Sequence, residues 1–528
     1  MYIVPTFPTL SLSFQSHESI NNFNFHNPQI KMQSFFLLLL LSSSFIHGYA
    51  QFQSKNQGFI SMLITQNGLN FVKDLLVKKA ISSIVSLQLP NIEKGTKIPF
   101  LGNVYMVLSN ITIYEIDVDS SNVKPGEDGI LILASGVSCN LSMNWYYSYS
   151  TWIGPVKISD KGSAQVQVEG MEVELKLGLE NQEGSLDLKL KDCSSSVKDI
   201  SIKLDGGASW LYQGIIDAFE ENIGSAVENA ITKKLGEGIS RLDSYLKSLP
   251  KEVPVDDQSS LNVTFVNDVL LSESSVGFET NGLFIGRNDS LPIPNLGYKN
   301  LKLPIICTNL SKMLAITLDE AVFNSASSLY YDAKFMHWIV DQIPDQSLLN
   351  TAGWRFIIPQ LYKKYPNHEM NLNISLSSPP VVKISNQKAG AVVYADLTID
   401  VLEEDEVIPV ACISLMIQAS GLVKINGNNL VGTIRLDSFG MSLKWSNVGN
   451  LRMYLIQPVM WTIIETVFLP YANAHLSKGL PLPIIHGFTL QDAEIILSTS
   501  RVAVCSDVAF AESESDRHIL QSYNSLSR

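Results

Sequence analysis

Histidine and carboxylate side chains are the groups that could carry catalysis in this chain, and their distribution argues against it. After residue 50, the histidines all lie in the C-terminal half, at His337, His368, His475, His486 and His518. Residues 51–336 therefore lack the base that a Ser-His-Asp or Cys-His device requires. His368-Glu369 begins a zinc-protease motif, but Leu372 occupies the position of its second histidine. The pattern predicts that the protein is not an enzyme.

The cysteines predict disulfide chemistry rather than a metal site. Cys139, Cys193, Cys307, Cys412 and Cys505 are spread singly, without a C-x-x-C pair, so neither a metal nor a resident cofactor is expected. In an exported chain an even subset should pair and one should be left over. Cys139 and Cys193 stand alone in the N-terminal half, which favours a bond between them. The alternative is that both are small buried apolar residues.

A segment rich in aromatic side chains suits binding rather than catalysis. From Trp145 to Trp152 the chain places five aromatic rings in eight positions, and Lys157 and Lys161 follow. Rings with one polar edge suit the boundary between lipid headgroups and acyl chains, and ammonium groups pair with phosphates as point charges. The same pattern fits an aromatic cluster that covers the end of a barrel. The sequence leaves both interpretations open.

The elements that position these residues form two successive helix-sheet-helix units. Apolar residues at three- and four-residue spacing predict helices, and strict alternation predicts strands. The predicted elements are a helix at 59–85, strands over 100–205, a helix at 210–249, strands over 261–284, a helix at 327–343, strands over 370–445 and a helix at 451–476. Such a repeat indicates an internal duplication, in which each curled sheet wraps a long helix.

Domain boundaries follow from this order. We place the first barrel at 51–286, a Pro-rich linker at 287–304, the second barrel at 305–508 and a disordered polar tail at 509–528. The residues before them predict export. Phe35–Leu41 is a short apolar core preceded by a lysine and followed by small residues, so 32–50 fits a secretory signal peptide and 1–31 a gene-model extension.

Possible glycosylation sites agree with an exported protein. Six N-x-[ST] sequons are present after the signal peptide. They lie at Asn110, Asn140, Asn262, Asn288, Asn309 and Asn373. We expect a secreted glycoprotein.

The composition contains more apolar residues than an ordinary soluble protein of this size needs. Hydrophobic residues make up 45% of the 528 positions and charged residues 17%, with a mean hydropathy of +0.13. The net charge of -13 argues against nucleic acid as a partner. No membrane span is predicted after residue 51, so the protein is not expected to be integral to a membrane. The surplus fits an apolar crevice between each curled sheet and its helix.

Seven residues are the best candidates for the lining of the N-terminal crevice. They are Phe59, Leu63, Leu69 and Val72 on the first predicted helix and Leu211, Ile215 and Phe219 on the second. Plain core packing accounts for any one of them equally well.

Several short motifs resemble one known family. They are Gly58-Phe59-Ile60 with Gln66-Asn67-Gly68-Leu69, Val168-Glu169-Gly170-Met171 with Leu175-Lys176-Leu177-Gly178, Cys193-Ser194-Ser195-Ser196, Leu376-Ser377-Ser378-Pro379-Pro380 and Lys478-Gly479-Leu480-Pro481-Leu482-Pro483. In this order they are similar to the bactericidal/permeability-increasing and lipopolysaccharide-binding protein family, and the tail and aromatic segment look more like its plant branch. The resemblance covers about 58–508.

The resemblance implies an α+β fold of two elongated tubular lipid-binding barrels in a boomerang, joined by a central sheet. Each barrel would hold an acyl-lipid, and no cofactor would be needed. Lipopolysaccharide, phospholipids and the bacterial outer-membrane surface would be the partners. The N-terminal tip would bind lipid A. The residues implied there are Lys94, Lys97, Trp145, Trp152, Lys157 and Lys161.

Two departures from the family qualify these expectations. Animal members join the strand cysteine to one on the long helix, but residues 208–249 contain no cysteine, so Cys139 is the expected partner of Cys193. Residues 51–250 carry 18 Lys and Arg against 23 Asp and Glu, a net charge of -5, whereas bactericidal members are strongly cationic there. Direct killing of bacteria is therefore not expected.

The function expected from the sequence is the binding of bacterial lipopolysaccharide, phospholipid or both, in innate defence, by a secreted protein. In a plant the location would be the apoplast or cell wall. A phospholipid transfer or carrier protein without a lipopolysaccharide role is the alternative. A secreted lipase or esterase and a glycan-binding protein are further alternatives, which the absent nucleophile motif and the two long helices disfavour.

Overall fold

The computed structural model describes most of the chain that follows the predicted signal peptide. Described residues are 57–98, 102–150, 156–205, 209–287, 307, 311–343, 345–404 and 406–511. The predicted extension and signal peptide, nearly all of the Pro-rich linker and the tail after residue 511 lie outside these ranges and stay predictions. Trp152, Asn288 and Asn309 lie outside them as well.

The N-terminal half begins with a strand and not with the predicted helix. β1 (Ile60–Thr65) precedes α1 (Gln66–Ile84), so Phe59 and Leu63 lie before and within a strand. Thr65 ends the strand and caps α1, because its side-chain oxygen accepts a hydrogen bond from the first turn at 3.4 Å. Alternate apolar positions in this segment satisfy a strand as well as a helical stripe, which explains the wrong boundary.

A long antiparallel sheet and a long helix complete the first barrel. The strands are β2 (Ile92–Ile98), β3 (Gly102–Gly126), β4 (Gly129–Ser150), β5 (Lys157–Gln182), β6 (Ser185–Ser196) and β7 (Asp199–Asp205). They pair in the order β2-β3-β4-β5-β6, and β7 pairs with the first part of β5. The helix α2 (Ser209–Lys247) packs against β6, as the sequence predicts for 210–249.

The second half repeats this order with shorter helices. Its strands are β13 (Leu314–Asp319), β14 (His337–Val340), β15 (Glu369–Leu376), β16 (Val381–Ser385), β17 (Lys388–Glu403), β18 (Glu406–Asn426), β19 (Asn429–Ser446) and β20 (Leu480–Pro481). Its helices are α3 (Glu320–Asp332), α4 (Pro359–Lys364), α5 (Met453–Ile463) and α6 (Leu469–Leu476), with a 3-10 turn at Gln346–Leu349 and a π-helical segment at Ile464–Phe468 between α5 and α6.

The helix predicted at 327–343 is misplaced. The structure begins α3 at Glu320, where the side chain of Asp319 accepts a hydrogen bond from Ala321 N at 3.0 Å, and ends it at Asp332. Residues 337–340 form β14 instead, which pairs with β15. The cap residue at 319 was the sequence signal for the true start.

The two halves meet in a six-stranded central sheet that records the duplication. Its order is β10-β11-β1-β13-β22-β21. The two central strands are β1 and β13, which open the two halves and pair antiparallel. The outer members are β10 (Phe265–Ser272) and β11 (Ser275–Thr280) on one side and β21 (Phe488–Ser498) and β22 (Arg501–Phe510) on the other. The strands β8 (Glu252–Pro254), β9 (Ser259–Asn262) and β12 (Phe284–Gly286) form a small separate sheet.

The predicted disulfide between Cys139 and Cys193 is wrong. Both are free thiols, on β4 and β6, with β5 between them. Cys139 stands opposite Val168 and Cys193 opposite Leu175, so the two are separated by about 23 Å along the sheet as well as by one strand. A disulfide requires Cα atoms within about 7 Å. Burial raises the pKa of the Cys139 thiol to about 12, so it behaves as an apolar residue.

The disulfide that the structure contains joins Cys307 to Cys505 on β22. Their Cα atoms are 6.0 Å apart, and the bond closes a loop of 198 residues. It ties the end of the segment between the two halves to the central sheet. Sequence alone left the pairing of these cysteines open.

The segment Met453–Leu476 is the one described helix with the length and mean hydropathy, 1.2, of a membrane span. It contains Pro458 and the π-helical turn, and its inner side is part of the second barrel. Ile456, Met460 and Ile463 are buried in the hydrophobic core of that barrel. Core packing therefore accounts for the apolar residues on its inner side, and 33% of its most hydrophobic window is buried.

Candidate functional site

The interior of the first barrel contains two separate hydrophobic clusters. The distal cluster joins the inner faces of β3, β4 and β5 to the first half of α2, with Phe219 and Ile223 buried in it. The proximal cluster includes residues of the central sheet and the second half of α2, with Ile239 and Phe278 buried in it. The side chains that the structure describes therefore form two packed cores in this barrel and not one.

Helix α1 connects the two clusters, and the middle of its inner face belongs to neither. Leu69 is buried in the proximal cluster and Ile84 in the distal cluster, about 22 Å apart along the helix axis. Between them on the same face lie Val72, Leu76 and Ala80, which are only half-buried and contribute to none of the clusters that the described residues form. We call these three residues the apolar gap. They present apolar surface that the described protein atoms leave partly uncovered.

Polar contacts fix the orientation of α1 over the sheet. Lys73 is buried, and its ammonium donates a hydrogen bond to the carbonyl of Ser121 on β3 at 2.9 Å and pairs with Asp74 at 2.8 Å. The side-chain amide of Gln66 donates to the carbonyl of Val123 on the same strand at 2.9 Å. Lys73 follows Leu69 by four residues and precedes Leu76 by three, so these bonds hold the face that carries the apolar gap toward β3.

An aromatic contact connects α1 to the central sheet. The ring of Phe71 meets that of Phe488 edge-on at 6.5 Å, and Phe488 in turn lies 5.0 Å from Phe510. Phe71 and Leu75 are half-buried, on a different side of the helix from the apolar gap. Apolar contact of α1 therefore also reaches β21, the edge strand, and its neighbour β22.

The predicted crevice residues on the first segment divide between two places. Leu69 and Val72 lie on α1, at the end of the apolar gap and within it. Leu63 is half-buried on β1. Phe59 is buried in the core that the central sheet forms with α3, away from the gap, because the chain there is a sheet strand and not the predicted helix.

On the second helix, the structure describes one of the three predicted residues in full. Phe219 is 1% exposed and is an ordinary member of the distal cluster. Leu211 and Ile215 lie within α2, but their side chains are outside the described part of the chain. The sequence missed Leu76 and Ala80 as site residues, although their four-residue spacing from Val72 was visible in the helical stripe.

The aromatic segment points inward. Trp145 is 4% exposed, its indole donates to the carbonyl of Ser163 at 2.9 Å, and its ring stacks on Tyr147 at 5.8 Å. Tyr147 in turn stacks on Tyr149 at 6.4 Å. Trp145 is therefore buried, as the alternative of an aromatic cluster at the end of the barrel implies, and its predicted contact with lipopolysaccharide stays a prediction. The ladder forms because alternate residues of β4 face the same side.

The four lysines predicted to bind lipopolysaccharide lie on two strands, at the same end of the sheet. Lys94 and Lys97 lie on β2, and Lys157 and Lys161 on β5, with β3 and β4 between them. Three strand spacings of about 4.8 Å place the two pairs about 14 Å apart. The sheet thus brings all four to one end of the first barrel.

Only three of these lysines share the outer face. Lys94 faces inward, where its ammonium donates to Asn222 Oδ1 of α2 at 2.7 Å. Lys97, Lys157 and Lys161 are exposed on the outside. Because Lys94 and Lys97 are three residues apart on a strand, they point to opposite faces. The predicted cluster of four is a cluster of three.

Neighbouring groups modify the charge around these lysines. A hydrogen bond from Ser148 lowers the pKa of the Tyr146 phenol, and Lys157 contributes in the same direction, so Tyr146 shares its outer surface. On β3 the hydroxyl of Tyr105 donates to Glu93 at 2.5 Å, which raises the pKa of Tyr105. The carboxylate of Glu93, next to Lys94 on β2, partly offsets the positive charge.

Among the described residues, no group of three or more His, Cys, Asp or Glu side chains is arranged to hold a metal ion. The described site is made of apolar surface, an aromatic ladder and ammonium groups. This arrangement can bind an amphiphile by burial of its apolar part and by ion pairing with its headgroup.

The fold defines the class to which the protein belongs. The crystal structure of lipopolysaccharide binding protein matches it with a TM-score of 0.63 and 19% sequence identity, over 87% of this chain and 100% of that chain. Two barrels joined by a central sheet, as predicted, are therefore confirmed.

Sequence comparison assigns the family. The model of the LBP / BPI / CETP family N-terminal domain matches residues 68–243, and that of the C-terminal domain matches 254–510. The chain belongs to the LBP / BPI / CETP family. A BPI/LBP family protein of Arabidopsis thaliana is 61% identical over 90% of this chain and 97% of its own length.

More distant relatives span most of the chain as well. The bactericidal permeability-increasing protein of Sebastes schlegelii is 24% identical over 85% of this chain and 95% of its own length. The lipopolysaccharide-binding protein of Homo sapiens is 24% identical over 87% of this chain and 94% of its own length.

Proposed function

We propose that this protein is a secreted, non-enzymatic lipid-binding protein that holds an acyl chain along the apolar gap of α1. The observation that carries the proposal is the half-buried face formed by Val72, Leu76 and Ala80 between two packed clusters. A bound acyl chain would cover this surface in the way that the clusters cover Leu69 and Ile84. No cofactor besides the lipid is required.

The energetics favour retention of a lipid. Burial of about fifteen methylenes at about 0.8 kcal/mol each gives an upper bound near 12 kcal/mol, before the costs of ordering the chain and losing its free motion. An apolar channel therefore binds an acyl chain without a charged contact. The headgroup then decides which lipid is preferred.

The outer lysines favour a lipid with a phosphorylated headgroup, such as lipopolysaccharide. Lys97, Lys157 and Lys161 are exposed at one end of the barrel and would pair with the phosphates of lipid A. Two relatives have names that refer to lipopolysaccharide or to bacterial permeability. We therefore propose a role in innate defence at the bacterial outer-membrane surface, from the extracellular space.

A phospholipid carrier without a lipopolysaccharide role is the second candidate. It is favoured by the engagement of Lys94 with Asn222, the burial of Trp145 and the net charge of -5 over residues 51–250. These features leave fewer groups for a phosphorylated glycolipid than the sequence implied. The apolar gap serves both candidates.

Two measurements test the proposal. The full chain, expressed in a secretory host, should retain acyl-lipid in native mass spectrometry, and organic extraction should identify it. A lipid-free protein whose thermal stability is unchanged by added phospholipid would overturn the lipid-binding proposal.

Surface plasmon resonance on immobilised lipopolysaccharide separates the two candidates. The triple variant Lys97→Gln, Lys157→Gln and Lys161→Gln should bind about tenfold more weakly and with less dependence on ionic strength, because screening acts on the lost charges. Lys94→Gln is the matched control, since its ammonium is committed to Asn222. Equal affinity of the triple variant and the unmodified chain would favour the carrier.

A further inference from the structure

The far end of the second barrel presents one large apolar side chain on a firmly held turn. Phe356 is 77% exposed, while Trp354 and Ile358 on either side are 0% and 1% exposed. The indole of Trp354 donates to the carbonyl of Leu348 at 2.8 Å, and Ile358 N donates to the carbonyl of Trp354 at 2.7 Å. The ring of Phe356 is therefore held in solvent by a turn whose neighbours are buried, at a cost that core packing does not explain.

The chain segment that contains this ring carries positive charge. Between Gln346 and His368 the chain carries Arg355, Lys363 and Lys364 and no aspartate or glutamate, in a protein whose net charge is -13. All three cationic side chains are exposed, and none forms an ion pair within the described residues. The guanidinium of Arg355 lies 4.5 Å from the centre of the Phe356 ring.

The neighbouring loop adds a further exposed cation and a further exposed aromatic ring to this surface. Gln360 of α4 lies against Gly449, so the loop that leads into α5 borders this surface. That loop ends at the exposed Arg452, and Tyr454 in the first turn of α5 is 65% exposed. Acidic residues border the stretch 346–368: Asp345 precedes it, Glu369 follows it, and at the turn between β17 and β18 Glu403 approaches His368 at 3.7 Å.

We propose that Phe356 and the cations around it dock the second barrel onto an anionic phospholipid membrane. The ring would enter the boundary between headgroups and acyl chains, and Arg355, Lys363 and Lys364 would pair with lipid phosphates. The acidic turn at Glu403 would remain on the water side and orient the barrel. The occupant is a bilayer rather than a protein, because isolated cations around one projecting ring give charge complementarity without a groove.

This inference is independent of the lipid held by α1, since it concerns the outside of the other barrel. Co-sedimentation of the full chain with phosphatidylglycerol–phosphatidylcholine vesicles tests it. Phe356→Ser should weaken binding about tenfold. The triple variant Arg355→Gln, Lys363→Gln and Lys364→Gln should weaken it at least tenfold at low salt and reduce its dependence on ionic strength. The lipid retained in native mass spectrometry should not change in either.

A matched control and a direct probe make the test specific. Leu422 on β18 is similarly exposed, at 64%, so Leu422→Ser should leave vesicle binding unchanged. An environment-sensitive fluorophore on Phe356→Cys should shift to the blue with vesicles, whereas the same label on Leu422→Cys should not; the native free thiols provide the labelling blank. Equal sedimentation of all variants, or no spectral shift at position 356, would overturn the proposal.

Discussion

The first helix of the N-terminal half, α1, and the first helix of the C-terminal half, α3, differ in how many of their side chains are buried. In the first half, α1 has 19 residues, of which Gly68, Leu69, Lys73 and Ile84 are buried. In the second half, α3 has 13 residues, and six of them are buried, three of these being serines. Small side chains let α3 approach its neighbours closely: Ser325 accepts a hydrogen bond from Phe284 N at 3.0 Å. The half-buried apolar residues Val72, Leu76 and Ala80 of the longer helix belong to no hydrophobic cluster of the described residues, whereas the half-buried Phe323 and Ala326 of the shorter helix pack against one.

The cores of the two halves are arranged alike. The second half has a large core in which Trp354, Leu361, Ile456 and Met460 are at most 1% exposed, and a separate core that α3 forms with the central sheet. The first barrel divides its core into the distal and proximal clusters, with the apolar gap between them. Both halves therefore have two separate clusters, and what differs is the helix beside them, because Val72, Leu76 and Ala80 of α1 belong to no cluster. For this reason we assign the acyl chain to the first barrel.

Loss of a fully buried core side chain should have the largest effect. Trp354→Ala should lower the free energy of unfolding by about 3–5 kcal/mol, because it removes a fully buried ring and leaves a cavity. Leu76→Ala in the lipid-free protein should cost less than about 1 kcal/mol, since that side chain is only half-buried. Urea denaturation of the two variants gives both values. Equal losses would show that Leu76 is packed as fully as a core residue and would remove the contrast between α1 and the core of the second barrel.

A covalent bond should stabilise the first barrel almost as strongly. Within the described residues its cysteines are free, whereas the second half contributes both ends of Cys307–Cys505. Cys193 on β6 lies within hydrogen-bonding reach of Thr232 on α2. Thr232→Cys should therefore form a disulfide with Cys193 and raise the free energy of unfolding by about 2–4 kcal/mol.

Thiol titration and thermal melting with and without reductant check this bond, with Thr232→Ser as the control. If Thr232→Cys retained four free thiols under oxidising conditions, the packing of β6 on α2 described here would be incorrect.

The smallest expected effects are two pH dependences of opposite sign. In the first barrel a hydrogen bond from Lys247 lowers the pKa of Asp187, so its stabilisation is present above the ordinary value of 3.8 and is lost as the pH falls through the lower folded value. Asp187→Asn should lower the melting temperature at pH 7, and the difference should vanish in acid.

In the second barrel, burial raises the pKa of Asp400, so its carboxylate destabilises the fold above pH 3.8 and this cost falls as the group is protonated. Asp400→Asn should raise the melting temperature at pH 7. It also places an amide donor opposite Asn371, whose buried Oδ1 has no hydrogen-bond partner. Melting curves from pH 3 to 7 test both variants; a shift of the same sign in both would contradict this assignment.

Much of the fold could be predicted from the sequence, because long alternating strands and the stripe along α2 carry strong periodic signals. The boundary at Thr65 could not, since Ile60, Met62 and Ile64 suit a strand and a helix alike. The disulfide failed for a different reason. The presence of Cys139 and Cys193 in the same half of the chain does not show that β5 lies between their strands. It also does not show that they stand opposite different residues of β5.

The candidate site was only partly predictable. Spacing placed Val72 on the correct face of α1, but which of its neighbours would be covered depends on clusters formed by distant strands. Alternation along β4 was equally visible, yet the direction of Trp145 depends on which face the barrel encloses. The sequence therefore predicts which aromatic rings share a face of β4. Which face lies inside the barrel depends on how the sheet curls.

Native mass spectrometry of variants that fill the apolar gap tests the central claim most directly. Leu76→Trp and Ala80→Trp place indole rings where the acyl chain is assigned, whereas Lys78→Trp adds the same ring to an exposed position of α1. All would be produced as full chains in the same secretory host, with their folds compared by circular dichroism. We expect the gap-filling variants to lose the co-purified lipid and Lys78→Trp to retain it. Full retention of lipid by correctly folded Leu76→Trp and Ala80→Trp would contradict this expectation.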